Sequence, residues 1–182
     1  MKFRIERIIY TGLLLLFCAA SYAQPYKNLT ADDFKGPQTA ENAGDVAFTN
    51  CAIEFSYIAK KEKNYYALTF TVKLVMDADQ SWMDRHRITS KEMMDEILRH
   101  EQGHYNIAYM EQQEILRTVS RVVFHEDYKS VATNIFERID AKYRQLNLDY
   151  DADTQNSTNR VQQHSWDAYF QKRLAYMPPV KG

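Results

Sequence analysis

Cysteine, glycine and proline are all scarce in this 182-residue chain, which holds two Cys, five Gly and four Pro. One of the cysteines, Cys18, lies in an apolar N-terminal run. A secreted form cleaved after that run keeps only Cys51, which excludes an internal disulfide. The fold then rests on packing, with a bound metal as the other available staple. The shortage of Gly and Pro, beside 13 Tyr and 9 Phe, excludes a disordered or low-complexity chain. Basic charge is not in surplus either: 23 Lys and Arg stand against 24 Asp and Glu, a formal charge of −1. Without a basic patch, nucleic acid and anionic membrane surfaces are excluded as main partners. No apolar run reaches spanning length with a stop-transfer flank, so no stable membrane span is expected.

The N-terminus does carry a secretory pattern. Lys2, Arg4 and Arg7 precede the apolar stretch Ile8 to Ala20, and Ser21-Tyr22-Ala23 fits a small-x-small cleavage site before Gln24. Cleavage there makes residues 1–23 a signal peptide and predicts a secreted or periplasmic protein. It leaves 24–182 as one domain of 159 residues and, with three basic and one acidic residue removed, a formal charge of −3. Lipidation at Cys18 is disfavoured, because Phe17 stands where a small residue is expected.

Downstream, Thr30 is placed to cap a short turn before Gly36-Pro37, with Leu29 and Phe34 tucked beneath it, and 38–44 reads as a loop. Val46 to Tyr57 reads as a strand with Ile53, Phe55 and Tyr57 alternating. A change of phase near Asn50-Cys51 predicts a bulge. A charged turn at 60–64 leads to the alternating strand 66–74, paired antiparallel with the first, and Trp82 anchors the exit. A long helix is predicted from about Ser90, with a capping box from Thr89 to Glu92, running to Val123. A turn at His125–Tyr128, a helix to Gln145, a polar loop Leu146–Thr158 and a helix from Asn159 to Leu174 follow. Val161, Trp166, Tyr169 and Phe170 form the apolar side of that last helix, and Pro178-Pro179 closes the order. The fold class is α+β: a small antiparallel sheet followed by helices, the long one packed on the sheet.

That long helix carries His100-Glu101-Gln102-Gly103-His104, an H-E-x-x-H sequence. The two histidines lie one turn apart on one face, able to hold Zn²⁺, and Glu101 projects beside them as a base for the attacking water. A chain of this length carries such a pattern by accident roughly once in a hundred, so its placement matters. Met93, Ile97, His100, His104, Ile107 and Ala108 share one face, which turns the motif towards the core.

Zinc with one open position needs a third protein ligand. The metzincin extension is absent, since Ile107 and Met110 stand where Gly and His are required. Glu137 with Asp140 is the nearest analogue of a gluzincin glutamate, although an ordinary solvated Glu137 is the simpler reading. Cys51 lacks the surroundings of a deformylase-type ligand and reads as a buried structural thiol. His125, His164, Asp149 and Asp151 remain, with His125 reading as a surface residue of its charged turn.

Several separated stretches resemble one family, the bacterial secreted DUF922 proteins, described as predicted zinc-dependent proteases. They are Leu29-Thr30-x-Asp32-Asp33-Phe34-Lys35-Gly36, Ser81-Trp82, Leu98 to Tyr105, Tyr150-Asp151-x-x-Thr154 and Gln163-x-x-Trp166. The resemblance implies a zincin-like, metal-dependent peptidase acting on protein or peptide, with His100 and His104 as ligands of one Zn²⁺ and Glu101 as general base. Ala31 replaces a usual tryptophan. Asn156 stands where the family usually has a histidine, which leaves Asp151 and His164 as candidates for the third ligand. Tyr150 or Tyr105 would steady the oxyanion, and strand 66–74 would receive the substrate by edge pairing. The alternative, prompted by Asn156, is a non-catalytic envelope or binding protein that keeps the fold with a degenerate or structural metal site.

Overall fold

The computed structural model describes residues 26–38 and 44–177; the signal-like segment with Cys18, most of the 38–44 loop and Pro178-Pro179 lie outside the described residues. Alternation of Ile53, Phe55 and Tyr57 with Ala52, Glu54 and Ser56 builds β2 (Cys51–Lys61), after a short β1 (Ala47–Phe48). The same period builds β3 (Tyr66–Met76), which pairs antiparallel with β2 from Cys51↔Met76 to Lys61↔Tyr66. One face of this ribbon sets Ile53, Phe55, Phe70, Val72 and Leu74 against the helices, and the other leaves Glu54, Ser56, Thr69, Thr71 and Lys73 in solvent.

At Asn50-Cys51 the chain does more than bulge. It breaks, and β1 leaves the ribbon to pair with β4 (Trp82–Met83), Phe48 opposite Trp82. Asn50 holds the break, donating its N–H to Ser81 Oγ (2.9 Å) and accepting from the Asp77 N–H (3.0 Å). Trp82 is buried beneath, as its position predicts. Ahead of the sheets, Ala31–Asp33 makes one 3-10 turn closed by the Thr30 N–H to Asp33 Oδ2 (2.8 Å), with Leu29 and Phe34 buried. Gly36 donates its N–H to Ser81 O (2.8 Å), and a Cβ built on it would collide with the Asp79 carbonyl.

The long helix, α1 (Lys91–Val119), is capped by Ser90 and not Thr89. Ser90 is the residue with extended backbone, so its Oγ meets the Met93 N–H (3.1 Å). The helix stops short of Val123, which is exposed, because the chain must turn for Phe124 to accept a hydrogen bond from the Tyr66 N–H (2.7 Å) beside β3. The next helix, α2 (Tyr128–Thr154), continues well past Gln145 through the stretch expected to be a loop. Its last turns face inward with Asn147, Tyr150, Asp151 and Thr154, a helical spacing made mostly of polar residues. After a link in which Gln155, Asn156 and Ser157 all have positive φ, α3 (Arg160–Tyr176) starts from an Asn159 cap. It buries Gln163 and Phe170, while Val161 points to solvent. The arrangement is α+β, an antiparallel β-ribbon followed by three helices, with α1 packed against both the ribbon and α2. Among the described residues no helix is long and apolar enough to cross a membrane.

Gly36→Ala should lower stability by about 1–3 kcal/mol, the usual cost of overpacking against a backbone that cannot retreat. Thermal unfolding followed by circular dichroism measures it as a drop of several degrees.

Candidate metal centre

One turn of α1 separates His100 from His104, so their rings share a face, and that face meets the last turns of α2. There the Nε2 atoms of the two histidines approach to 3.2 Å, and Asp151 Oδ1 lies 3.4 Å from the first and 3.2 Å from the second. Ligand atoms on a four-coordinate zinc, each 2.0–2.2 Å from the metal, sit about 3.3–3.5 Å apart. The triangle of donors therefore has the edges that one small cation would span. These three residues could hold a metal ion.

The opposite sides of the rings show why the Nε2 lone pairs point inward. His104 Nδ1 lies 2.8 Å from Asn147 Oδ1, and His100 Nδ1 lies 3.4 Å from Gln163 Oε1 and 3.4 Å from Thr154 Oγ1. Gln163 Nε2 donates to Asp167 Oδ1 (3.0 Å), which leaves its carbonyl oxygen for the imidazole. Amide oxygens only accept, so Nδ1 is the donor of each ring, and in the neutral ring that leaves Nε2 for the centre. Tyr150 stacks on His100, ring centroids 4.8 Å apart and planes 15° apart, and donates its hydroxyl to His100 O (3.0 Å). It lies against Gly103, where a Cβ would collide with the phenol. Glycine inside the motif is thus required by close approach and not by backbone conformation.

Glu101 is buried beside the pair, and its Oε2 accepts from Thr49 Oγ1 (2.6 Å), at the break between β1 and β2. Gln102, on the outer side of α1, accepts the Leu29 N–H at Oε1 (2.7 Å) and so ties the N-terminal turn to this helix. Burial disfavours a charged His104, but the bond to Asp151 and the charges of Glu101 and Asp151 outweigh it and raise its pKa to about 9. Asp151 is itself partly buried, yet its bonds to the two histidines hold its carboxyl well below the usual carboxylate range. Both shifts describe a field that favours positive charge where the three atoms meet.

Of the two residues expected to complete the site, Asp151 stands at the pair and His164 does not. His164 is exposed on α3, its Nδ1 3.8 Å from Asp167. Asn156 lines the cleft and bonds Asp45 Oδ1 (3.3 Å) instead of reaching the donors. Asp149, Glu137 and His125 are exposed, and the His125 ring lies 3.0 Å from Asn64 O. Asp140 pairs with Arg144 (3.0 Å). Cys51 is half-buried outside the donor group, and burial, with the charge of Glu101, pushes its thiol up to about 12.

Neither tyrosine expected to steady an oxyanion has its hydroxyl at the donors. Tyr150 lies behind His100 with its hydroxyl spent on the helix carbonyl and Gln163, and Tyr105 packs with Leu29 and Phe34 in a separate cluster. Strand 66–74 is also turned away from the site. Its outer edge is engaged by Phe124 at Tyr66 and by Gln112 at Val72 O (3.1 Å). The cleft of about 110 Å³ at the donors is instead walled by 45–49, and a larger neighbour of about 600 Å³ by 48–53 and the facing helices.

Thr49 and Asn147, which bond Glu101 and His104, are not among the residues to which the sequence points. Asn147 had a usable signal, the spacing Asn147-Asp151-Thr154 along one helical face; Thr49, reaching across the fold, had none. A family described as "Bacterial protein of unknown function (DUF922)" matches residues 26–160 of the chain. No curated protein and no solved structure matches it.

Asn147→Leu and Gln163→Leu should each weaken metal affinity by about 10–100-fold, the usual effect of losing a group that orients a ligand. Gly103→Ala should weaken it too and lower the melting temperature, because Tyr150 must move. Competition titration against a zinc-sensitive dye reads the first effect and thermal unfolding the second.

Proposed function

The chain belongs to the DUF922 family, whose matching description leaves the function unknown, so the site must carry the peptidase reading that the resemblance implies, and we propose a zinc-dependent metallopeptidase of zincin type. One observation carries it: three donors with the spacing of a four-coordinate zinc, leaving a fourth position free, beside a buried glutamate that does not belong to the donor set. Two histidines and one carboxylate also suit iron(II), but a threonine-held glutamate next to them fits hydrolysis better. Zinc bound by His100, His104 and Asp151 would polarise a scissile carbonyl and make water acidic enough to ionise near neutral pH.

The remaining roles fall to the chain. Asn147 and Gln163 keep both imidazoles in the tautomer that binds metal. Glu101, aimed by Thr49, takes the proton of the attacking water and returns it to the leaving amine. A protein or peptide substrate lies along 48–53, the segment that walls the larger cavity beside the cleft, and not along β3. The secretory pattern of residues 1–23 supports action in the periplasm or outside the cell.

A non-catalytic envelope or binding protein with a structural metal is the second reading, favoured by the small cleft and by Asn156 in its wall. The purified protein should carry about one zinc per chain by elemental analysis. Glu101→Gln should keep that zinc and cut peptide cleavage by at least ~100-fold, whereas His100→Ala and Asp151→Ala should lose the zinc. Folded, metal-free protein from undepleted medium overturns the metallopeptidase. Zinc that supports the melting temperature of a wild type that cleaves nothing selects the second reading.

A further inference from the structure

Two turns beyond His104 on the same helix, about 10 Å along its axis, Glu111 enters the wall of the larger cavity. It is 8% exposed, and its Oε1 is buried with no hydrogen-bond partner among the described residues. The nearby charges are already matched to each other: Asp140 pairs with Arg144 at 3.0 Å, and the Arg144 side chain is 72% exposed. Around the carboxylate the walls are largely apolar, with Phe48 and Ile53 on one side and Ile107 and Leu148 on the other. The cavity shares Phe48, Thr49, His104 and Asn147 with the cleft at the donors, so the two adjoin.

An unpaired buried carboxylate in an apolar groove is costly by itself and is relieved by one kind of ligand. Burial pushes the Glu111 carboxyl up to about 7, Asp140 adds to the rise, and Arg144 opposes it. An apolar side chain entering the groove would dehydrate the acid further, and an acidic one would be repelled. A long aliphatic stem ending in a cation matches both the walls and the acid. One extended residue spans about 3.5 Å, and a lysine or arginine side chain covers the rest of the distance from the donors to Glu111.

We propose that this groove is the specificity pocket of the enzyme and takes a lysine or arginine side chain flanking the cleaved bond, with Glu111 as its counter-ion. This rests on the metallopeptidase reading, and binding can be tested apart from cleavage. Blocked alanine-rich hexapeptides carrying one Lys, one Leu or one Glu at each position in turn would be titrated calorimetrically into zinc-loaded Glu101→Gln protein. The same peptides would then be titrated into that protein with Glu111→Gln added. Expected is about ten-fold tighter binding of the best Lys peptide than of its Leu counterpart, about 1.4 kcal/mol. Glu111→Gln should abolish that margin with zinc content unchanged and the melting temperature no lower. Equal binding of Lys and Leu peptides, or a Lys preference that survives Glu111→Gln, overturns the proposal even if wild-type protein cleaves peptides. A Lys preference that depends on Glu111 sustains the pocket even if wild-type protein cleaves nothing, in which case only the peptidase reading fails.

Discussion

The centre depends on how Tyr150 is packed. Its ring is fully buried, lies flat on His100, presses on Gly103 and meets Trp166 and Phe170 edge-on, while its hydroxyl binds the His100 carbonyl. One side chain thereby fixes the separation of α1, α2 and α3. The neighbouring residue on α2, Asp151, can then present its carboxylate to both imidazoles, and Gln163 of α3 can reach His100 from behind. Hydrogen bonds of this kind orient groups more than they add stability, since each nets only about a kcal/mol. The aromatic burial does the holding.

Seen from this packing, the stretches on which the family resemblance rests divide by task. The Tyr150-Asp151-x-x-Thr154 and Gln163-x-x-Trp166 stretches build the centre from the side of α2 and α3. The Leu29 to Gly36 and Ser81-Trp82 stretches lie outside the donor group and its cleft. Lys35 and Gly36 donate their N–H groups to the turn at 78–81, and Leu29 is tied to Gln102 inside the histidine motif. They brace the outer flank of α1, and the position of Glu101 in turn relies on Thr49, at the chain break that this turn and Asn50 hold open.

Much of this was legible in the sequence where side chains that face inward are apolar. The alternation of Ile53, Phe55, Phe70 and Val72 shows both long strands, and the inward placement of His100 and His104 follows from Ile97, Ile107 and Ala108 around them. The end of α2 was not legible, because Asn147, Asp151 and Thr154 occupy its inward face. A helix that faces a polar centre loses the hydrophobic period that identifies helices. Misreading it as a loop also left His164 as good a candidate as Asp151. The Thr49–Glu101 bond joins residues 52 apart, and no local pattern encodes such a contact.

Gln155, Asn156 and Ser157 turn the chain between α2 and α3 with φ values of 49°, 49° and 78°. Residues with side chains enter that region rarely, and asparagine, aspartate and histidine do so most readily. The position that holds asparagine here, and histidine by the family resemblance, is therefore filtered first by the backbone and only then by chemistry. Either residue lets the chain follow the same path. An exchange between them would redecorate the wall of the cleft while leaving the fold untouched, so this is a place where the site can drift without cost to the scaffold.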